Sequence, residues 1–216
     1  MKKFRVAFAL ACLLPVLAGC QSQGEAAAGD QMAWRAAYAE LLREAVPAFT
    51  DSGGRVFGYF LLHDIDGSGI PELVLFEADL WTGALSPVRA YAFSDGSLRP
   101  LELGDFSRMI SSSIYAPADG TGIAAITGGG GDVFFFRLEL EDGVFRTCAT
   151  GELELFEYVF ADDAGEASFR QVFVYTIDGR EVGADEFWSV FTRWDEAQNL
   201  TRPITEGDIY SAIFGD

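Results

Sequence analysis

Apolar side chains recur at helical spacing near the start of the mature-like region, then give way to short alternating runs that fill the middle of the chain. Asp30 is placed to cap a helix running to about Val46, with Trp34, Tyr38, Leu41 and Ala45 on one face and Pro47 ending it. Strands are predicted over Val56–Leu62, Leu73–Phe76, Val88–Phe93, Ile110–Tyr115, Val133–Leu140, Val144–Thr147, Leu153–Phe160 and Phe169–Ile177. Asp95-Gly96, Asp142-Gly143 and Asp178-Gly179 punctuate these runs, and Asp-Gly pairs suit tight hairpin turns. The uneven spacing of the runs argues against a propeller or solenoid. Farther on, Asp185 and Glu186 open a second helix with Phe187, Val190, Phe191 and Trp194 on one face. Thr205 and Asp208 are spaced as a capping box for a last short helix, Ile209–Phe214. Helix, antiparallel meander and C-terminal helices predict a single α+β domain over residues 30–216, with a β-sandwich or barrel as the alternative.

Charge narrows the chemistry. The 216 residues hold 33 acidic and 15 basic side chains, for a formal charge of −18. Both lysines and Arg5 lie in the first nineteen residues; without that segment 12 arginines face 33 acids, and the charge is −21. No lysine then remains for a Schiff base or a P-loop, and no polybasic surface for nucleic acid. His63 is the sole histidine, so any Ser-His-Asp or Cys-His site would have to use it.

Met1–Arg5 is basic and Val6–Leu17 is apolar, interrupted only by Pro15, a run shorter than the roughly 20 residues that span a bilayer. The segment closes with Leu17-Ala18-Gly19-Cys20, which resembles the bacterial lipoprotein lipobox. The resemblance implies a signal peptide over 1–19, cleavage before Cys20, and lipidation of Cys20 on its thiol and new amino group. The product would be exported and membrane-anchored on the extracytoplasmic side, and several acyl chains would hold it stably. Gln21, where the sorting pattern has aspartate, implies the outer membrane in a cell with two. Residues 20–29 read as a flexible tether. Cys12 leaves with the signal, so Cys148 has no partner for an internal disulfide, and a small buried side chain is its expected role.

The strongest chemical signal is His63-Asp64-Ile65-Asp66-Gly67-Ser68-Gly69-Ile70-Pro71-Glu72. With Asp64 as position 1, oxygens recur at Asp66, Ser68, the Ile70 carbonyl and Glu72, and Gly69 permits a sharp turn. This spacing resembles the D-x-D-x-D-G calcium loop of EF-hands, dockerins and integrin-type repeats, and exported bacterial proteins of this size carry similar wording. Leu75 stands where an EF-hand has its bidentate glutamate, Ser68 removes one charge, and Pro71 lacks an N–H at position 8. The entering segment reads as strand, so the resemblance is to a strand-loop-strand version with calcium as the implied ion. Turn geometry alone is the competing account of the same residues. His63 faces the opposite side of the strand from Asp64 and reads as a hairpin-face residue.

Other constellations carry less. Asp51-Ser52-Gly53 is similar to an aspartic-protease signature, but no second copy exists to share a proton, and a loop after the first helix accounts for it. Gly128–Gly131 lacks the Gly-Lys-Ser/Thr ending of a P-loop and reads as a turn. Trp81 lies in a loop after the calcium hairpin; it is expected to fold onto the core, with stacking on a glycan or anchoring a protein partner as its functional alternative. Phe134-Phe135-Phe136 puts aromatics on both faces of a strand, which implies that both faces are covered, with an exposed interaction patch as the rival explanation. No catalytic residue is assigned. The sequence therefore reads as a non-enzymatic, lipid-anchored binding or interaction module with a calcium-stabilised hairpin. The alternative is a surface hydrolase, carbohydrate-active in one version, using an unnamed carboxylate pair.

Overall fold

Two antiparallel sheets dominate the computed structural model, which describes residues 32–117, 120–129, 132–161, 167–191 and 199–215. The lipobox with Cys20, the tether, Asp30, Gly130, Gly131 and Trp194 lie outside the described residues. Helix α1 covers 32–45, and Val46–Phe49 continues it as a 3-10 turn that accepts Pro47 in its first positions, where a missing N–H costs nothing.

The first sheet holds β1 (Gly58–His63), β2 (Glu72–Ala78), β3 (Leu85–Ser94), β4 (Ser97–Leu101) and β11 (Thr201–Pro203), in the order β11-β1-β2-β3-β4. The second holds β5 (Ser113–Tyr115), β6 (Ile123–Gly129), β7 (Asp132–Glu141), β8 (Val144–Ala161), β9 (Ala167–Ile177) and β10 (Arg180–Val182), in the order β10-β9-β8-β7-β6-β5. Helices α2 (Ala184–Val190) and α3 (Glu206–Phe214) complete the described elements. The chain is α+β with mostly antiparallel strands.

Strand alternation distributes the core. Phe60, Leu73 and Leu75 share a buried cluster with Trp34, Tyr38 and Leu42 of α1 and with Ile209 and Ile213 of α3. Their neighbours Leu61, Val74 and Phe76 point the other way, into a cluster with Ile123, Ala125, Leu138 and Phe145 of the second sheet. That central core is sealed by Phe106, from the 3-10 segment Gly104–Arg108, whose ring packs on Phe76 and Phe145. A third cluster joins Phe135, Leu153 and Ile177 to Phe187 of α2 and to Phe191, which caps its C-terminus. Tyr38, Ala39 and Leu42 are buried on α1, whereas Leu41 and Ala45 pack partly buried at its flank. Both covered faces implied by the phenylalanine run are present: Phe135 belongs to the third cluster and Phe136 to the central one, while Phe134 is exposed.

All three Asp-Gly pairs form two-residue hairpin turns. Asp95, Asp142 and Asp178 have φ near +50°, and the following glycines lie between +74° and +79°, the left-handed pair that a type I′ turn requires. The runs Val144–Thr147 and Leu153–Phe160 are one strand, because the interruption is a bulge: Arg137 pairs with Ala149 and Leu138 with Thr147, so Cys148 is the unpaired residue. Its side chain is exposed, contrary to the buried role expected from the alternation. Partial desolvation, with the charge of Glu139, pushes its thiol pKa up to about 11 and leaves it a poor nucleophile.

Candidate metal centre

Strand β1 ends at His63, which pairs with Glu72, the first residue of β2. The connection therefore begins with Asp64 and closes on Glu72. Antiparallel pairing brings the two ends of the loop together. Asp64, Asp66 and Glu72 each offer a carboxylate oxygen, and these oxygens lie within 4.8 Å of one another.

The loop is wound by its own backbone. Gly69 N–H donates to Asp64 Oδ2 at 2.9 Å and Ser68 N–H to Asp66 Oδ1 at 2.8 Å. Gly67 and Gly69 adopt φ of +75° and +86°, which a Cβ would strain. Ser68 Oγ sits 3.3 Å from the Ile70 carbonyl, so the oxygens of positions 5 and 7 are adjacent. Glu72 is only 2% exposed, and its Oε2 accepts the Ile65 N–H at 2.7 Å.

Two longer contacts fix the loop in the fold. Ile65 is buried in the central core, and its carbonyl accepts the Gly122 N–H, at the entry to β6 in the second sheet, at 3.0 Å. At the exit, Tyr38 of α1 donates its hydroxyl to the Pro71 carbonyl at 2.9 Å. Sequence reasoning missed both supports. Tyr38 read only as a helix-face residue, and nothing local marks Gly122.

Among the described residues no basic side chain pairs with the cluster. Burial raises the Glu72 pKa to about 7 against the Ile65 hydrogen bond, and the charges of Asp66 and Asp64 push the same way as burial. Glu72 also contributes, after burial, to raising the Tyr38 hydroxyl. Asp64 Oδ1 is buried and has no hydrogen-bond partner among the described residues. At an effective dielectric near 20, like charges at this spacing repel by about 3 kcal/mol per pair. Such an arrangement can hold a metal ion, which would satisfy the orphaned oxygen and neutralise the repulsion. His63 is not part of the carboxylate group; its Nε2 is buried without a hydrogen-bond partner among the described residues, and desolvation lowers its pKa against the opposing effects of Asp64 and a backbone bond to Gly122.

Position 12 is Leu75, fully buried in the cluster beneath α1, so the loop has no later carboxylate. The Asp51-Ser52-Gly53 segment is a turn: Asp51 Oδ1 accepts the Gly53 and Arg55 N–H groups. Trp81 departs from its expected place in the core and stands 93% exposed. Compared with known proteins, the chain matches no family profile, no curated protein and no solved structure.

Proposed function

We propose that the chain is a lipid-anchored, extracytoplasmic binding or interaction module whose loop 64–72 is stabilised by one calcium ion. The convergence of Asp64, Asp66 and Glu72, with a buried Asp64 oxygen lacking a hydrogen-bond partner among the described residues, carries the metal reading. The donors are carboxylates, the Ser68 hydroxyl and the Ile70 carbonyl, an all-oxygen set that suits a hard cation, and calcium accepts an irregular shell completed by water. Without a bidentate glutamate at position 12, affinity falls in the extracellular range of about 10⁻⁴–10⁻³ M. At that affinity the ion serves structure rather than signalling. Anchoring through Cys20 is supported by the Leu17–Cys20 motif. Burial of Glu72 counts against using this cluster as the acid pair of a hydrolase, since a general acid must reach its substrate.

Calcium titration of the full chain by calorimetry and thermal melting, beside Asp64→Ala and with magnesium as control, tests this reading. A saturable heat and a raised Tm with calcium, both lost in Asp64→Ala, are expected. No binding at millimolar calcium would reduce the loop to turn chemistry and remove the metal from the proposal.

A further inference from the structure

A second feature lies at the far end of the same hairpin. The loop from Asp79 to Ala84 joins β2 to β3, and one carboxylate organises it. Asp79 Oδ1 accepts the Trp81 N–H at 3.0 Å, the Thr82 N–H at 2.8 Å and the Thr82 hydroxyl at 3.0 Å. The Thr82 hydroxyl in turn accepts the Ala84 N–H at 3.2 Å, and Gly83 N–H returns to the Asp79 carbonyl at 2.8 Å. These bonds fix the backbone on both sides of Trp81 and present its indole to solvent.

Beside it opens a cleft of about 430 Å³ lined by Phe57, Glu77, Asp79, Leu80, Trp81 and Ser86. Glu77 and Ser86 face each other across β2 and β3, so their side chains share one face. Among the described residues no basic side chain lines the cleft, and Glu77 forms no ion pair. An exposed tryptophan in a cleft whose walls carry two carboxylates and one hydroxyl offers hydrogen-bond acceptors and a π face, with little to donate.

We propose that this cleft binds the guanidinium of an arginine side chain on a basic partner polypeptide. A guanidinium is planar and stacks on an indole, has five donors and no acceptor, and suits a wall made of acceptors. Glu77 takes one edge of the fork and the Oδ2 of Asp79 the other, since its Oδ1 is engaged by the loop. The chain's formal charge of −18 attracts a basic segment over a longer range than the cleft itself. The cleft is open, as a side chain entering from another chain needs. This inference names the partner chemistry of the binding-module reading and does not depend on calcium.

The test follows the indole N–H resonances of the full chain by NMR at constant ionic strength, with Trp81→Phe identifying the relevant signal. The probes are the acetylated amides of arginine, lysine and citrulline, together with methyl glucoside. The expected result is a saturable shift of the Trp81 signal with the arginine amide. The lysine amide should bind distinctly more weakly, and the neutral citrulline amide should leave the signal unmoved. Glu77→Gln should weaken arginine binding about tenfold or more through loss of a charge-assisted bond, with an unchanged Tm showing that the fold is intact. No shift with arginine, an equal response to lysine or citrulline, or equal movement of every tryptophan signal would overturn the assignment. A shift with the glucoside alone would also overturn it while leaving a binding module in place. Repeating the titration with calcium chelated separates failure of this site from failure of the metal loop.

Discussion

Glu72 combines three demands that conflict without a cation: it is buried, it accepts a backbone N–H, and it stands close to two other carboxylates. In the unfolded chain it titrates near its ordinary value of 4.5, whereas in the fold its pKa is about 7. Between those values the folded state keeps a proton that the unfolded state has released, so raising the pH costs stability. The calcium-free chain should therefore lose on the order of 3 kcal/mol as pH rises through that window. Glu72→Gln should flatten the fall. Thermal melts in chelator across the window check this, and a Tm that rises toward pH 7 in the parent chain would contradict it. Calcium should reverse the slope, because the bound form needs the ionised carboxylate.

Elements are held by close approaches that leave no room for side chains. A Cβ at Gly151 would come within 2.5 Å of the Phe191 ring and 2.9 Å of Phe187, so the middle of β8 carries glycine where α2 lies on it. Gly151→Ala should push α2 outward and cost about 1–3 kcal/mol, read as a lower urea midpoint with an unchanged slope. A neutral result would show that α2 shifts freely on the sheet. Much of the meander was legible at this scale. The Asp-Gly turns were readable because two consecutive positive φ values admit few residue types, and the last helix because Thr205 accepts the Asp208 N–H as its cap. Strands β4, β6, β10 and β11 were not predicted: Ser97–Leu101 has a proline and little alternation, Thr201–Pro203 is too brief to carry a period, and Gly128 and Gly129, read as a turn, pair with Val133 and Asp132 as the end of β6.

For the whole molecule, loop 64–72 is where α1, the first sheet and the second sheet meet, through the Tyr38–Pro71 and Gly122–Ile65 hydrogen bonds. An ion held there should stabilise the entire domain. At 10 to 100 times its dissociation constant calcium would add about 1.4–2.7 kcal/mol. For a domain of this size that is a Tm rise of roughly 3–10 °C. Scanning calorimetry should show one transition moving as a unit. Two transitions of which only the smaller responds would show that the loop is energetically separate.

The sequence by itself determined the features written in near neighbours: the Asp-Gly turns, the strand-loop-strand setting of Asp64 to Glu72, the capped last helix, the acidic charge and the absence of lysine beyond residue 3. Each follows from backbone preferences or composition within a few residues. Only the tertiary structure decided that the strands divide into two sheets, that Cys148 is an exposed bulge, and that Trp81 faces solvent beside Glu77. It also decided that Tyr38 and Gly122 brace the acidic loop. Those outcomes depend on which distant surfaces meet and exclude water, and local alternation records that a side chain is apolar without recording what covers it.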